Sequence, residues 1–324
     1  MTTDSRPTSS ANHSLRPNHV LTNEALIALD YIAPSEKLAP YVTTFFLMGC
    51  EEPHIVDVLP AGLGILIVFL NGDGKIFTRD GAVYNSQRTN LLTPLSTAAP
   101  IAVNGPWHSF GASLSPLGWA ALTGRLSAAE HGNRLLDAGA MFGPRFTELG
   151  EDMAARWIAG KITPDEMAET LGDAIATRLK KVPAAHQKLI ATVAGWLNED
   201  LSPRVDRLHE MVLYSPRQLQ RLVDQYFGLP PKQLARKYRA LRAAGMLADP
   251  RITDAQVTLI AEQFYDQSHM IREISLFAGR TPKRIGGGDN PMLTALLDLR
   301  NFREIKPTLP QPAPRSRHAQ LPLD

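Results

Sequence analysis

The chain has 324 residues, of which 44% are apolar and 20% charged, an ordinary globular mix with room for two domains. No apolar run reaches the roughly 18 residues a membrane helix needs, so no membrane partner is expected. The polar start around Asp4, Pro7, Asn12 and His13 lacks a signal-peptide core. The single cysteine, Cys50, excludes an internal disulfide or a Cys-rich metal site and fits a cytoplasmic location.

The formal net charge of +2 conceals an asymmetry. Residues 1–185 hold 14 Lys/Arg against 18 Asp/Glu, and residues 186–286 hold 15 against 10. An excess of positive charge in one segment is the electrostatic footprint of phosphate binding.

In chain order, residues 1–25 are polar and unpatterned and are expected to be a disordered leader. From Tyr31 to Leu114 the texture is β, with runs such as Tyr41–Phe46, Ile55–Leu59, Ile65–Leu70, Lys75–Thr78, Asn90–Thr93 and Ser109–Leu114. Turn residues at Pro60-Ala61-Gly62, Asn71-Gly72-Asp73-Gly74, Asp80-Gly81 and Asn104-Gly105-Pro106 separate them, so Gly72-Asp73-Gly74 reads as a hairpin turn. Short strands at this spacing predict a small barrel or sandwich. The pattern turns helical after Pro116. Thr163-Pro164-Asp165-Glu166 is a capping box that opens a helix with Met167, Leu171, Ala174 and Ile175 on one side. Amphipathic helices over 144–181 could pair two copies of the chain. Lys181-Val182-Pro183-Ala184 is the expected hinge between a sensor or dimerisation domain over 26–182 and a helical domain over 186–286.

In that second domain helix signals recur at short intervals. Leu189, Ile190, Val193, Trp196 and Leu197 space one buried face. Ser215-Pro216-Arg217-Gln218 is a capping box, Gly228 closes its helix, and a longer helix runs from Pro230 to Ala248 with Leu234, Tyr238, Leu241 and Gly245 on a stripe. Thr253, Asp266 and Thr281-Pro282 open the last three. Gly286-Gly287-Gly288 breaks the pattern, and residues 287–324 form a tail that is Pro-rich from 307.

Two of these helices share a design. In the first, Leu219, Leu222, Val223 and Tyr226 fall at helical spacing and bury one face, while Arg217, Gln220 and Arg221 face the other side in the first two turns. In the second, Met270, Ile274 and Phe277 form the buried stripe, and Gln267, Ser268, Ile271 and Arg272 lie elsewhere. Arg reads guanine bidentately, Gln can pair with adenine, and Ile271 can meet a thymine methyl, all in the major groove. One such helix alone is more often a solvated amphipathic helix, and Ile271 is as readily a core residue; the repeat favours DNA.

The stretches Arg217–Leu222, Phe227–Lys232, Tyr265–Glu273 and Phe277–Pro282 resemble, in order and spacing, the DNA-binding domain of the AraC/XylS family of bacterial transcription regulators over residues 186–286. The resemblance implies seven helices in two helix-turn-helix units joined by a long helix, here Pro230 to Ala248. It makes Arg217, Gln220 and Arg221 the base-facing residues of the first unit, and Gln267, Ser268, Ile271 and Arg272 those of the second. The sequence departs from the family's pattern at the tight turns, where Leu213 and Gln263 replace the usual glycine, at His209, which replaces a small residue, and at Ile285, which replaces an aromatic. Pro40-Tyr41-Val42, Asp57–Gly62, Leu91–Pro94 and Phe110–Gly118 are similar to a β-rich sensor-like domain found ahead of such DNA-binding domains, and they imply no particular ligand.

Other signals point less far. Cys50 as a methyl acceptor lacks the companion cysteines that chemistry uses, and reads as a small core residue. His54 and His108 are too isolated for a metal site, His269 has no ligand partner at metal spacing, and Ser113-Leu114-Ser115 lacks a nucleophile-elbow context. The expected fold class is α+β: an N-terminal β-barrel-like domain with trailing helices and a C-terminal all-α double helix-turn-helix domain. The expected function is a sequence-specific transcription regulator, with an interaction protein carrying a degenerate DNA-binding domain as the alternative, motivated by the lost turn glycines. Neither catalysis nor a cofactor is expected. Double-stranded promoter or operator DNA is the expected partner; RNA polymerase, a small-molecule effector and a second copy of the chain are further candidates.

Overall fold

The computed structural model describes residues 27–249 and 251–285; the expected leader, the triple-glycine break and the Pro-rich tail lie outside the described residues. Strands come first: β1 (Ile27–Ile32), β2 (Val42–Cys50), β3 (His54–Leu59), β4 (Ile65–Phe77), β5 (Val83–Asn85), β6 (Thr89–Leu92) and β7 (Ala99–Leu114). A mixed stretch follows: α1 (Pro116–Thr123), α2 (Ala128–His131), β8 (Leu135–Asp137), α3 (Ala138–Phe142), α4 (Pro144–Ile158) and α5 (Pro164–Arg178). The remainder is helical: α6 (Ala184–Glu199), α7 (Val205–Met211), α8 (Pro216–Phe227), α9 (Pro231–Leu247), α10 (Asp254–Ala261), α11 (Gln267–Ala278) and α12 (Pro282–Ile285).

The strands form one antiparallel sheet in the order β1-β2-β7-β4-β6-β8, with β3 alongside β7 and β5 alongside β4. Its ends, β1 and β8, do not pair with each other, so the sheet is open, which corrects the barrel-like expectation. Helices rather than further strands bury the outer face, so the sheet need not close to hide it.

Two expected turns are also corrected. Asn71-Gly72-Asp73-Gly74 lies inside the 13-residue β4, and Asn104-Gly105-Pro106, with a cis Gly105–Pro106 bond, lies inside the 16-residue β7. The β4–β7 register slips between Phe69 and Asn71 and again between Asn71 and Asp73. Asp73 then faces Asn104, whose Nδ2 donates to Asp73 Oδ1 at 2.8 Å. Gly72 has φ of 73°, and a Cβ there would stand 2.5 Å from the Asn104 carbonyl oxygen. The turn-like composition therefore serves a bulge, where glycine supplies both the backbone angle and the close approach. Bulges bend the bulged strand and increase its twist.

Alternation along the strands divides the side chains between two faces. Phe45, Leu66, Val68, Phe110, Ala112 and Leu114 pack with Trp119 of α1, Phe146 and Met153 of α4, and Met167, Leu171 and Ile175 of α5. Phe46, Met48, Phe69, Ile101, Val103 and Trp107 form a second cluster on the other face. The apolar stripes of α4 and α5, expected to be available for pairing two chains, are thus spent on the sheet. The Thr163 capping box is formed: Thr163 N donates to Glu166 Oε2 at 2.7 Å, which holds the Glu166 carboxyl below the usual range.

The helical half has two clusters of its own. Trp196, Leu208, Leu219, Val223, Tyr226, Leu234 and Tyr238 gather α6 to α9, and Ala120 and Ala121 of α1 belong to the same cluster. Leu241, Ile260, Phe264, Met270, Ile274, Phe277 and Ile285 gather α9 to α12, joined by Ala61 from the loop after β3. Ile285 fills with an aliphatic side chain the position where the family resemblance implies an aromatic. The expected hinge is anchored: Val182 is buried in the first cluster, and Lys180 N donates to the Ala121 carbonyl at 2.9 Å.

Candidate nucleic-acid interface

Helix α8 begins at a complete capping box, with Ser215 as N-cap and Gln218 reaching back, and ends at Gly228 with φ of 80°. Leu219, Leu222, Val223, Tyr226 and Phe227 are buried, which fixes the rotation of the helix. Arg217, Gln220 and Arg221 consequently face solvent. Helix α11 is capped by Asp266, which accepts from His269 N at 2.6 Å, and ends at Gly279 with φ of 79°. Met270, Ile274 and Phe277 are buried, whereas Gln267, Ser268, Ile271 and Arg272 are exposed. Ile271, at 36% exposure, is not a core residue. All seven residues expected to face bases therefore lie on the open sides of two capped helices, in their first two turns.

The turns ahead of these helices carry no strain from the missing glycines. Among the described residues, the non-glycine residues with positive φ are Arg125 and Asn133; Leu213 and Gln263 are not among them. The motivation for a degenerate domain falls with that observation. Leu213, in the turn before α8, and Tyr265, just before the Asp266 cap of α11, stand almost wholly exposed.

His186 Nδ1 lies 2.6 Å from Tyr226 Oη, and burial, with the nearby Arg125 and Arg221 cations, holds its imidazole below the usual pKa. On α11, Glu273 is 1% exposed and meets Arg236 Nε and Arg239 Nη2 of α9, each at 2.5 Å, and His269 Nε2 at 3.0 Å. Burial pushes the Glu273 carboxyl up, but hydrogen bonds and charge from Arg239 and Arg236 outweigh it and hold the pKa down. This cluster pins α11 to the long helix and takes two arginines out of the pool available to DNA.

The other ends of these helices face the sheet domain. The last carbonyls of a helix lack intrahelical partners. Ala98 N donates to Leu276 O at 3.0 Å and Ala61 N to Phe277 O at 2.7 Å, so the sheet domain caps α11. Arg280 forms an ion pair with Asp57 of β3, both essentially without exposure. Lys237 of α9, 2% exposed, donates to Gly62 O at 3.1 Å and Leu95 O at 2.9 Å. Burial pushes its ammonium pKa down to about 7. Such a group penalises folding increasingly as pH falls from its unfolded value toward 7, and by a constant amount below that. The wild type is therefore expected to gain about 2 kcal/mol relative to Lys237→Met between pH 7 and 9 in paired urea titrations; equal pH slopes would count against this.

Among the described residues no group of three His, Cys, Asp or Glu is placed to hold a metal. His108 Nε2 lies 3.0 Å from Glu51, and His54 sits across from Asn104 on the β3–β7 ladder. Cys50 is buried and its thiol pKa is pushed up by that burial. No described helix is long and apolar enough to cross a membrane.

Residues 208–286, from within α7 through α12, match the family described as a helix-turn-helix domain. No curated protein matches. Among solved structures, ToxT from Vibrio cholerae is similar at 9% identity and a TM-score of 0.44, covering 81% of this chain and 98% of that one. ToxT from strain SCE256 with a bound unsaturated fatty acid is similar at 10% identity and a TM-score of 0.39, covering 72% and 94%. The AraC-like transcriptional activator CuxR is similar at 13% identity and a TM-score of 0.29, covering 67% and 86%. Residues 208–286 thus carry a helix-turn-helix domain, and it follows a β-rich domain.

Proposed function

We propose that this protein is a sequence-specific regulator that reads promoter DNA with Arg217, Gln220 and Arg221 of α8 and with Gln267, Ser268, Ile271 and Arg272 of α11. It acts in the cytoplasm, with residues 26–182 as the sensor domain and 186–286 as the DNA-binding domain. The carrying observation is that both helices bury their C-terminal ends against the sheet domain or the helical core while their N-terminal turns present Arg and Gln to solvent. Side chains at that end of a recognition helix reach base edges. The N-terminal domain supplies effector sensing: the loop after β3 and one face of the sheet line a partly open apolar pocket, and Ala61 and Gly62 on its rim bond to α11 and α9.

Fluorescence anisotropy of the full chain on promoter fragments from upstream of its own operon tests the reading. Affinity is expected to fall steeply between 50 and 200 mM salt through counterion release, with a preference of roughly a thousandfold or more over random DNA. A flat salt response, or equal binding to all sequences, would count against it.

A further inference from the structure

Arg217, Arg221 and Gln225 follow one another at four-residue spacing along one row of α8. Gln225 ends that row by donating from Nε2 to the carbonyl of Arg125, in the turn between α1 and α2, at 3.3 Å. Arg125 has φ of 71°, uncommon for a residue with a side chain, and its N–H donates to Ala120 O at 2.8 Å. Its backbone is thus tied to α1 on one side and to α8 on the other, while its side chain is exposed. Lys180, also exposed, arrives from the segment after α5, and a Cβ on Gly124 would stand 3.2 Å from its Nζ. Burial lowers the His186 pKa and the Arg125 and Arg221 cations lower it further, so both guanidiniums lie near one imidazole. Helices α1, α2 and α8 together carry two carboxylates, Glu130 and Asp224. Neither pairs with these cations, and among the described residues Arg125, Lys180 and Arg221 have no ion-pair partner.

We propose that the N-terminal domain forms part of the DNA interface, with the Arg125 guanidinium and the Lys180 ammonium contacting phosphates at the edge of the groove that α8 enters. At 1.5 Å per residue the 12 residues of α8 extend about 18 Å, whereas the major groove is about 12 Å wide. A helix whose first two turns read bases therefore carries its last turn out to the phosphate ribbon beside the groove. Arg125 is fixed to that last turn through Gln225, and Lys180 lies next to it. Like charges without a counter-charge repel one another, and a polyanion laid across them removes that repulsion. Phosphate contacts of this kind position a protein on the duplex and carry no sequence information. The inference rests on the reading of α8 as a recognition helix. It adds a contribution from residues 1–185, where acids outnumber bases and a charge count would not look for one.

Fluorescence anisotropy of the full chain from 50 to 200 mM salt tests this, on a promoter fragment from upstream of its own operon and on a random duplex of equal length. Wild type is compared with Arg125→Gln, Lys180→Gln, the double variant and Arg125→Lys. Gln keeps the stem of each exposed side chain and removes only the charge. Each Gln variant should bind both duplexes about three- to tenfold more weakly near 100 mM salt, and should reduce the slope of log affinity against log salt by about 1. The double variant should reduce it by about 2, and Arg125→Lys should keep the wild-type slope. Discrimination between the two duplexes should not change. If the wild type binds but the double variant keeps its slope, or loses affinity for the promoter fragment alone, the phosphate contacts are overturned and the regulator reading stands. Tighter binding by Arg125→Gln would equally overturn them, since the turn would then obstruct DNA. A wild type that binds neither duplex overturns the reading of α8, and these contacts with it.

Discussion

Arg280→Met is expected to cost about 3–5 kcal/mol of stability, because it leaves the Asp57 carboxylate buried without its cation. Asp57 Oδ1 also accepts from Val58 N at 2.6 Å, while Oδ2 has no partner, so little else stabilises the charge. Asp57→Leu should cost a similar amount by stranding the guanidinium. The double variant should recover most of the loss, since apolar replacement of a whole buried pair is often close to neutral. Urea titrations of the four proteins measure the coupling, and additive losses would refute it. Amide exchange at Ala61 and Ala98 should accelerate in either single variant, because the pair sits beside the two bonds that cap α11.

Arg221→Ala and Arg272→Ala should each weaken operator binding by about 1–3 kcal/mol, up to some hundredfold, if each guanidinium makes a bidentate base contact. Both are exposed on the outer sides of buried-faced helices, so neither change should disturb folding. Each loss should be confined to particular base positions within the operator, whereas a pure phosphate contact would weaken all sequences alike and reduce the salt slope. If the two helices lie in successive major-groove faces, the affected positions fall about one DNA turn apart. Footprints of the two variants on one operator decide this. Unchanged discrimination between operator and random DNA in Arg221→Ala would show that the reading face of α8 lies elsewhere.

The candidate interface was legible because its determinants are local. A capping box at Ser215, an Asp266 cap, closing glycines at 228 and 279 and apolar spacing at 3.6 residues specify the ends and rotation of a helix within a dozen residues. The same local logic misread Gly72 and Asn104. Glycine and asparagine suit a turn and a bulge alike, and only the neighbouring strand decides which one forms. The feared loss at Leu213 and Gln263 did not arise because neither turn uses a left-handed residue there.

The sequence by itself determined the two capped, amphipathic helices, the Arg and Gln on their outer faces, the β-rich character of the first half and the order of the two halves. These follow from short-range spacing and from which side chains avoid water. Only the tertiary structure decided what the basic residues of the second half are for. Lys237, Arg242 and Arg280 are buried, and Arg236 and Arg239 hold Glu273, so much of the positive excess works inside the protein. Only the fold, likewise, could show an open sheet, a bent β4–β7 pair beside an apolar cavity, and a β-rich domain capping α11. Those features join residues such as Asp57 and Arg280, which lie more than two hundred positions apart in the chain. A charge count or a periodicity cannot reveal such a pairing, because it is set by packing between halves whose local patterns are independent of one another.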